Sequence, residues 1–572
     1  MANGFGSFFV GSSGLMSAQN ALNVTANNLA NVDTKGYVRQ QVIFSDKHYN
    51  AFQSEAIGVN VQQAGLGVSI GDVVHARDIF LDKAYRQENG RQSFYGACYD
   101  TVAQVEDLFQ ELDGEEFKQS INDLNTAFQE LAKAPGDAVN QNLVIQKSEL
   151  FVARTVALYS DLQDYQDNMN EQIKEAVERI NEIGDRVYEL NLEIQKIEGA
   201  GIETAMTLRD ERDSLVDELS TYGTVSFRED ATGFLWLDFQ DVEFITEYRC
   251  NNIQLKADNG TGFYTPYWPQ LSDVPHEQYY KVYNLEGEIS SEMNTDIGSV
   301  KALLYMRGSE YGRYTDMLTT DSYAKVEDST MMETEAQIDF LFHSVITSIN
   351  DLLCPNTELT ESIYDASGKL VAAEGTLVLD VENCDVGADG KLPPQEIFSR
   401  IGCDRYTTVN YKDEKGMQKT IYVFNQEDPK DSSTMYQIGS VKVNDALLQE
   451  ESLLPVMKQD GAVNYGLAEE LVAIWENQGL TITPKDNSLC SFENYYDKLI
   501  GNLGNFGNIY NNESETLTTT VTSLDNKRLQ VTGVSSDEEL THMIKYQAAY
   551  NAASRYINVI SEMTNLIVSG LV

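Results

Sequence analysis

Residues 8–32, FFVGSSGLMSAQNALNVTANNLANV, decide the fold. Phe8, Gly11, Leu15, Ala18, Leu22, Thr25, Leu29 and Val32 recur at alternating steps of three and four, which sets them in one line along an α-helix. The other end of the chain repeats the pattern with Met543, Tyr546, Tyr550, Ala553, Ile557, Ile560, Thr564, Ile567 and Leu571. Each line is narrow and flanked by polar residues, the geometry of a two-helix coiled coil, so neither helix can bury itself alone. The economical solution is that the chain ends pair with each other or with neighbouring subunits.

Working inward, Leu162, Tyr165, Met169, Ile173, Ala176, Ile180, Ile183, Val187, Leu190, Ile194 and Ile197 continue the helical period without a proline, predicting an unusually long helix. A shorter amphipathic stretch, Ile121, Leu124, Phe128 and Leu131, precedes it and stops at Pro135-Gly136. From about 222 the period shortens. VSFRED-ATG-FLWLDFQ reads as a hairpin around a Gly turn. Helix returns with AQIDFLFHSVITSINDLL at 336–353, and a second insertion holds the strand candidates TLVLDV and KTIYVF. Helical sequence is expected from about 441 to the end. The fold class is therefore mainly α with β-containing insertion domains, in a nested order. Residues 1–45 and 531–572 form a terminal coiled-coil domain; 46–221, 325–354 and 440–530 form a helical rod; 222–324 form a β domain; and 355–439 form a small inserted surface domain.

The chain's 572 residues, 42% hydrophobic and 10% aromatic, suit three or four folded domains. Its formal net charge of −48 repels nucleic acid and anionic lipid, so neither is an expected partner. It suits a protein kept soluble before it polymerises. No stretch has the run of apolar residues that a membrane span needs. The start, MANGFGSFFVGSSGLMSAQ, lacks the basic and apolar regions of a Sec signal peptide, which fits a cytoplasmic protein or one leaving by a dedicated export channel. Six scattered cysteines, Cys98, Cys250, Cys354, Cys384, Cys403 and Cys490, contain no C-x-x-C pair and read as free thiols, Cys384 and Cys403 being the pair to check.

Catalytic chemistry has little to stand on. His48, His75, His276, His343 and His542 have no zinc-site spacing, and His276-Glu277 lacks the second His of H-E-x-x-H because Tyr280 stands there. Gly65-Leu-Gly67-Val-Ser-Ile-Gly71 has one residue too many for a dinucleotide loop. No nucleophile elbow or phosphate loop is present. Asp385-Val-Gly387-Ala-Asp389-Gly390-Lys-Leu392, closed by Glu396, has calcium-loop residue types, but Gly387 offers no ligand and Pro393-Pro394 forbid an exiting helix. An acidic Gly turn is the expectation there, with no enzyme activity, no cofactor and no metal.

Residues 26–39, ANNLANVDTKGYVR, closely resemble the N-terminal signature of flagellar rod, hook and hook-associated proteins, a family pattern filled here by Asn27, Asn28, Leu29, Ala30, Asn31, Thr34, Gly36 and Tyr37. Asn20, Asn23, Asn27 and Asn31 recur beside the apolar line, and amides buried at a helix interface must find partners, which fixes register. Gly36 permits a sharp exit from the helix. Three further stretches resemble the hook-associated members: Gly65-Leu-Gly67-Val followed by His75-Ala-Arg77-Asp78-Ile-Phe80-Leu81-Asp82 and Tyr85-Arg86; Leu208-Arg209-Asp210-Glu211-Arg212-Asp213 with Leu215 and Glu218-Leu219-Ser220; and Gly533 through Leu540 with Tyr546 through Ala553. Ser535-Ser536 departs from the family pattern. The resemblance implies a structural protein of the junction between hook and filament, exported through the flagellar channel without a cleaved leader and placed outside the cell. Its implied partners are further copies in a ring, the hook protein, a second hook-associated junction protein and an export chaperone at the C-terminal helix. The assembly interface would involve Leu15, Leu22, Asn27, Asn28, Leu29, Asn31, Gly36, Met543, Tyr546, Tyr550, Ile557, Ile560 and Ile567, with Leu22 and Leu29 facing Tyr550 and Ile557. A distal rod or hook protein is the alternative.

Overall fold

The computed structural model describes residues 2–34, 36–46, 50–51, 63–64, 67–109, 117–199, 204–230, 232–413 and 415–570. Gly65 and Leu66, in one of the family-like stretches, and His48 lie outside them. The described helices are, in chain order, α1 (Ala2–Ala30), α2 (Ile79–Phe109), α3 (Phe117–Lys133), α4 (Ala138–Glu198), α5 (Met206–Leu219), α6 (Ser299–Arg307), α7 (Thr320–Tyr323), α8 (Thr330–Leu353), α9 (Asp445–Gln449), α10 (Tyr465–Glu476), α11 (Phe492–Thr532) and α12 (Ser536–Gly570). The protein is mainly helical, with long terminal helices and small antiparallel sheets.

Helix α4 is the spine. Pro135-Gly136 closes the turn after α3, and Asp137 caps α4 by accepting from the Val139 N–H at 2.9 Å. Its 61 residues reach about 90 Å at 1.5 Å per residue. Two cores share it. Val144, Phe151, Leu158, Leu162 and Met169 enter the larger core with α2, α3, α8, α10 and α11. Ile173, Val177, Ile180, Ile183 and Val187 enter the second, beneath the β-rich segment. The buried line follows the expected one except that Gln166 and Val177 stand inside where Tyr165 and Ala176 were expected, and Ile197 is exposed. Gln166 is tolerated inside because its amide donates to the Arg307 carbonyl at 2.6 Å and the Glu310 carbonyl at 3.1 Å.

The hairpin expected near 222 forms with Val225–Glu229 antiparallel to Leu235–Phe239, Val225 opposite Phe239, and a third strand, Val242–Ile245, joins it. Three asparagines of α4 hold the β-rich segment in place. Asn191 accepts from the Leu235 N–H and donates to the Leu235 carbonyl, Asn181 does the same with Ile253, and the Asn170 carbonyl accepts from the Tyr264 N–H. A side-chain amide here supplies the donor and acceptor that a neighbouring strand would otherwise provide.

The 355–439 segment has two parts. Strands Asn356–Glu358, Leu377–Leu379, Tyr406–Lys412 and Gln418–Phe424 build a small sheet over Ala372, Val378 and Ile421. Leu379, Ile397, Phe398 and Tyr436 belong instead to the larger core, and Phe398–Arg400 pairs with Val441–Val443, so the core continues through the expected boundary at 440. The expected return of helix at 441 is partial. After the strand Val441–Val443, helix is limited to α9, a 3-10 turn at Glu451–Leu453 and α10 before α11 begins at Phe492, because Gly, Pro and Asn between 454 and 488 break the period.

In the acidic Gly turn, Asp385 accepts from Asn464 at 2.7 Å, while Glu396 is buried with the Tyr436 hydroxyl at 2.7 Å and the Arg405 guanidinium at 3.4 Å. The two carboxylates serve separate structural contacts. All six cysteines are free thiols.

Candidate functional site

The two ends of the chain meet. Helices α1 and α12 run antiparallel, with Gly11 against Ile557, Gly14 against Ala553 and Asn28 against Glu539. A Cβ on Gly11 would lie 2.8 Å from Ile557 Cγ1, so the glycine sets the close approach. The buried positions of α1 are Gly11, Ser13, Ser17, Ala18, Ala21, Thr25 and Asn28, nearly all small. Leu15, Leu22 and Leu29 are half-buried beside this line, while Phe8 and Val32 are exposed.

The expected seam of α1 is therefore turned by about one residue. A second contact causes the turn: the hairpin Gln40–Asp46/Val68–His75 packs on α1, with the Ser17 hydroxyl donating to the Val68 carbonyl at 3.3 Å. On α12, Met543, Tyr546, Tyr550, Ala553, Ile557 and Ile560 are the half-buried residues of the expected line, whereas Ile567 is 58% exposed. Leu22 and Leu29 do not face Tyr550 and Ile557 within the chain, because Gly11 occupies the place opposite Ile557.

The asparagine row also resolves differently. Asn20, Asn23 and Asn27 are exposed; Asn20 and Asn23 line an open groove of about 1100 Å³ with Ser13, Ser17, His75 and Arg209. Asn31 instead closes the end of α1, donating to the Asn27 carbonyl at 3.0 Å. Asn28 is the buried amide, 1% exposed. Its nitrogen donates to the Gln40 carbonyl at 2.9 Å and to Glu539 at 3.2 Å, and its oxygen accepts from the Gln40 N–H at 3.0 Å and the Tyr37 hydroxyl at 2.8 Å. Gly36, at φ +83°, adopts the left-handed turn that returns Tyr37 and Gln40 to Asn28. Arg39 completes the group, its guanidinium meeting Glu539 and Glu538, each at 2.9 Å.

Below this group, α5 joins the terminal pair to the rod. Asp210, Asp213 and Asp217 fall at helical spacing on one face. Asp210 accepts from the Val38 N–H at 3.3 Å and lies 3.2 Å from His75. Asp213 pairs with Arg77, and Asp217 bridges Arg86 and Arg528, each at 2.6 Å. Arg528 also reaches Asp82 at 2.9 Å and stacks on Tyr85. Arg209 and Arg212 turn the other way, Arg209 to Glu198 and Glu229, and Arg212 to Asn191 and the Gly233 carbonyl. Burial pulls His75 down to about 4, reinforced by Arg77 and Arg209, and pushes Asp210 up to about 7 against the Val38 N–H and Arg77. Burial first, then Asp210 and Glu539, raises the Tyr37 hydroxyl to about 12.

Parts of the family-like stretches within 26–39, 75–86, 208–220 and 533–540 thus converge on one neck, where the charged groups are spent on each other. Glu539, Arg39 and Gln40 lie in or beside quoted stretches, but their pairing across some 500 residues leaves no trace in spacing; Arg528 had no sequence signal at all. Among the described residues no group of three or more His, Cys, Asp or Glu side chains could hold a metal ion, and no helix is long and apolar enough to cross a membrane.

Comparison with known proteins follows the same layout. The flagella basal body rod protein family matches residues 8–37, the flagellar hook-associated protein FlgK helical domain matches 102–362, and the C-terminal family of flagellar basal body rod FlgEFG proteins matches 526–569. Flagellar hook-associated protein 1 of Bacillus subtilis is 24% identical over 97% of this chain and 96% of its own length. That of Escherichia coli is 22% identical over 97% and 98%. The solved flagellar hook junction protein FlgK from Burkholderia pseudomallei, 11% identical, shares the fold at a TM-score of 0.50, covering 79% of this chain and all of that one. With matches running in order from one end of the sequence to the other, the chain is similar to flagellar hook-associated protein 1 over nearly its whole length.

Proposed function

We propose that this chain is a structural subunit of the bacterial flagellum, forming the junction between hook and filament. The observation that carries the reading is the surface of the terminal pair. Phe8, Phe9 and Met16 on α1 and Ile544, Val559, Met563, Leu566 and Ile567 on α12 are each 45–75% exposed. No charged residue occurs in α1, and beyond Lys545 α12 carries only Arg555 and Glu562. In a chain of net charge −48, this neutral apolar end is where copies can approach without repulsion.

On this reading the terminal helices form a coiled-coil axial domain and pack laterally into a ring of identical copies, the hook protein lying on one side and a second hook-associated junction protein on the other. The interface set is Leu15, Leu22, Asn27, Asn28, Leu29, Asn31, Gly36, Met543, Tyr546, Tyr550, Ile557, Ile560 and Ile567, with Asn28 and Gly36 acting from within the chain. Residues 1–45 and 531–572 form the axial unit, 46–221, 325–354 and 440–530 the rod, and 222–324 and 355–439 the outward insertions, nested in that order. The chain acts outside the cell, after export through the flagellar channel with a chaperone on α12. The role is mechanical, not catalytic. Relatives aligned from end to end as hook-associated protein 1 disfavour the distal rod and hook alternatives.

The test is complementation of a strain lacking the protein. Serine at Val559, Met563 and Leu566 leaves the intrachain contact untouched and should abolish motility, with electron microscopy showing hooks that carry no filament. Normal filaments on that variant would overturn the reading.

A further inference from the structure

Helix α8 carries three titratable side chains on one line. Glu335, Asp339 and His343 fall four residues apart, one above the other, and the first two are buried. All three hold the stretch 308–318, which leaves α6 at Gly308 and leads to α7 through one 3-10 turn, Tyr314–Met317. The Gly312 N–H donates to Glu335 at 2.7 Å, the Tyr314 N–H donates to Asp339 at 2.9 Å, and the Tyr314 ring stacks on His343, centroids 4.0 Å apart. The same line grips the 355–439 insertion. Asp339 also accepts from the Ile438 N–H at 2.8 Å, and His343 lies 3.1 Å from Glu427, which accepts from the Tyr314 hydroxyl. A Cβ on Gly312 would collide with the Met332 carbonyl oxygen, so the stretch runs hard against α8.

Helix α4 adds holds from the other side. The Tyr159 hydroxyl donates to the Gly312 carbonyl at 2.7 Å, the Gln166 amide to the Glu310 carbonyl, and the Tyr311 hydroxyl to Asp167 at 2.9 Å. Apolar packing is slight. Met317, with Tyr323 and Val326 beyond it, meets Met332 and Ala336 in a small cluster separate from the two main cores.

Glu335 is the vulnerable member of the line. Its second oxygen is buried and finds no hydrogen-bond partner among the described residues. The groups facing it are Asp339 on its own helix, Asp167 and Tyr159 on α4, and Tyr311 on the stretch itself, all acidic or phenolic. Arg313 and His343 act on Asp339 instead. Burial first, then Asp167 and Asp339, pushes the Glu335 carboxyl up to about 8 against the Gly312 N–H. Detaching the stretch lets Glu335 ionise at its ordinary value near 4.5. Detachment therefore becomes easier as pH rises from about 4.5 to about 8, and gains nothing further above that. Asp339, raised to about 6 by burial, acts in the same direction at lower pH.

We propose that residues 308–318 are a strap across α8, closed in acid and released as the medium turns alkaline, with Glu335 as the deciding group. The strap joins α8 to α6, whose Val300 and Leu304 lie in the second core and whose Ala302 and Met306 lie in the larger one. Its release slackens the link between the β-rich segment and the rod while both cores stay formed. Neither terminal helix takes part, and the junction role is not needed for it.

Hydrogen exchange of the purified full-length chain, read by mass spectrometry on peptides covering 309–317 between pH 5 and pH 9, tests the strap. Dividing the parent's rate by that of Glu335→Gln at each pH removes the intrinsic rise of exchange with pH. The Gln side chain keeps an acceptor for the Gly312 N–H. The ratio should climb by at least about thirtyfold from pH 5 to pH 8 and level off above, while peptides from α2 and α11 stay protected. Glu310→Gln, which removes an exposed carboxylate from the same stretch, should follow the parent. A flat ratio, strap peptides that exchange no faster than those of α2 and α11, or a Glu310→Gln profile as flat as that of Glu335→Gln would overturn the proposal. If Glu335→Gln fails to fold, the parent's own rate, divided by that of the unstructured peptide of the same sequence, must show the same climb and the same plateau.

Discussion

Removing the Asp217 carboxylate should loosen the neck more than any other single charge deletion there. Asp217 accepts from Arg86 and Arg528, each at 2.6 Å, and so ties α5 to both α2 and α11. Burial alone would raise its carboxyl, yet Arg86 and Arg528 together hold it below the ordinary carboxylate range. In Asp217→Ala, Arg86, 3% exposed at its side chain, keeps only Asp213 at 3.8 Å as a carboxylate partner. Breaking a buried ion pair by removing one partner costs about 3–5 kcal/mol. The lower figure applies here, because Asp217 is 22% exposed and Arg528 retains Asp82 at 2.9 Å. A loss of about 3 kcal/mol lowers the melting temperature of a large unit by roughly 6 °C. The assay is scanning calorimetry of the rod transition with urea unfolding beside it, for Asp217→Ala, Arg528→Met and the double variant. The double variant should cost less than the sum of the singles by about 1–3 kcal/mol, since both delete one contact. A cost below about 1 kcal/mol for Asp217→Ala, or strict additivity, would refute the argument that this bridge anchors the neck.

Asn28→Leu takes one of the donors from Glu539, leaving it Arg39, and strands the Gln40 N–H, and should cost about 1–3 kcal/mol, read as faster hydrogen exchange in α1 and α12. Leu29→Asp, at a half-buried position, should cost the isolated chain under about 1 kcal/mol by urea unfolding. Gly184→Val places a Cβ 2.4 Å from Phe244 Cζ and 2.8 Å from Cys250 Sγ, so the unit on the second core should melt earlier, by about 1–3 kcal/mol. Burial raises Glu335 to about 8 although the Gly312 N–H stabilises its charge. A raised carboxyl adds stability below its unfolded value near 4.5 and loses it as pH rises through 8, so the melting temperature should fall from pH 5 to pH 9, and Glu335→Gln should flatten that slope.

The sequence by itself determined the helical character of both ends, the long α4, the hairpin at 225–239 and the resemblance to flagellar axial proteins. These are local signals: a repeat at three and four needs no knowledge of what it packs against, and the family stretches are short and contiguous. Only the tertiary structure decided which side of α1 faces inward. Of the expected line Gly11, Ala18 and Thr25 are buried, but Ser17, Ala21 and Asn28 are buried where the leucines are only half-buried, because α1 serves two neighbours, the hairpin and α12, and close antiparallel approach favours small residues over leucine. Asn28 stood out in the sequence as a signature and interface residue, outside the asparagine row read as setting register, and its partner Glu539 lies 511 positions away. The same holds for Asp217 and Arg528, which meet across 311 positions. Charge pairs between distant segments leave no periodicity in a sequence. They exist only once the chain has folded far enough to bury them, and burial makes each partner necessary to the other.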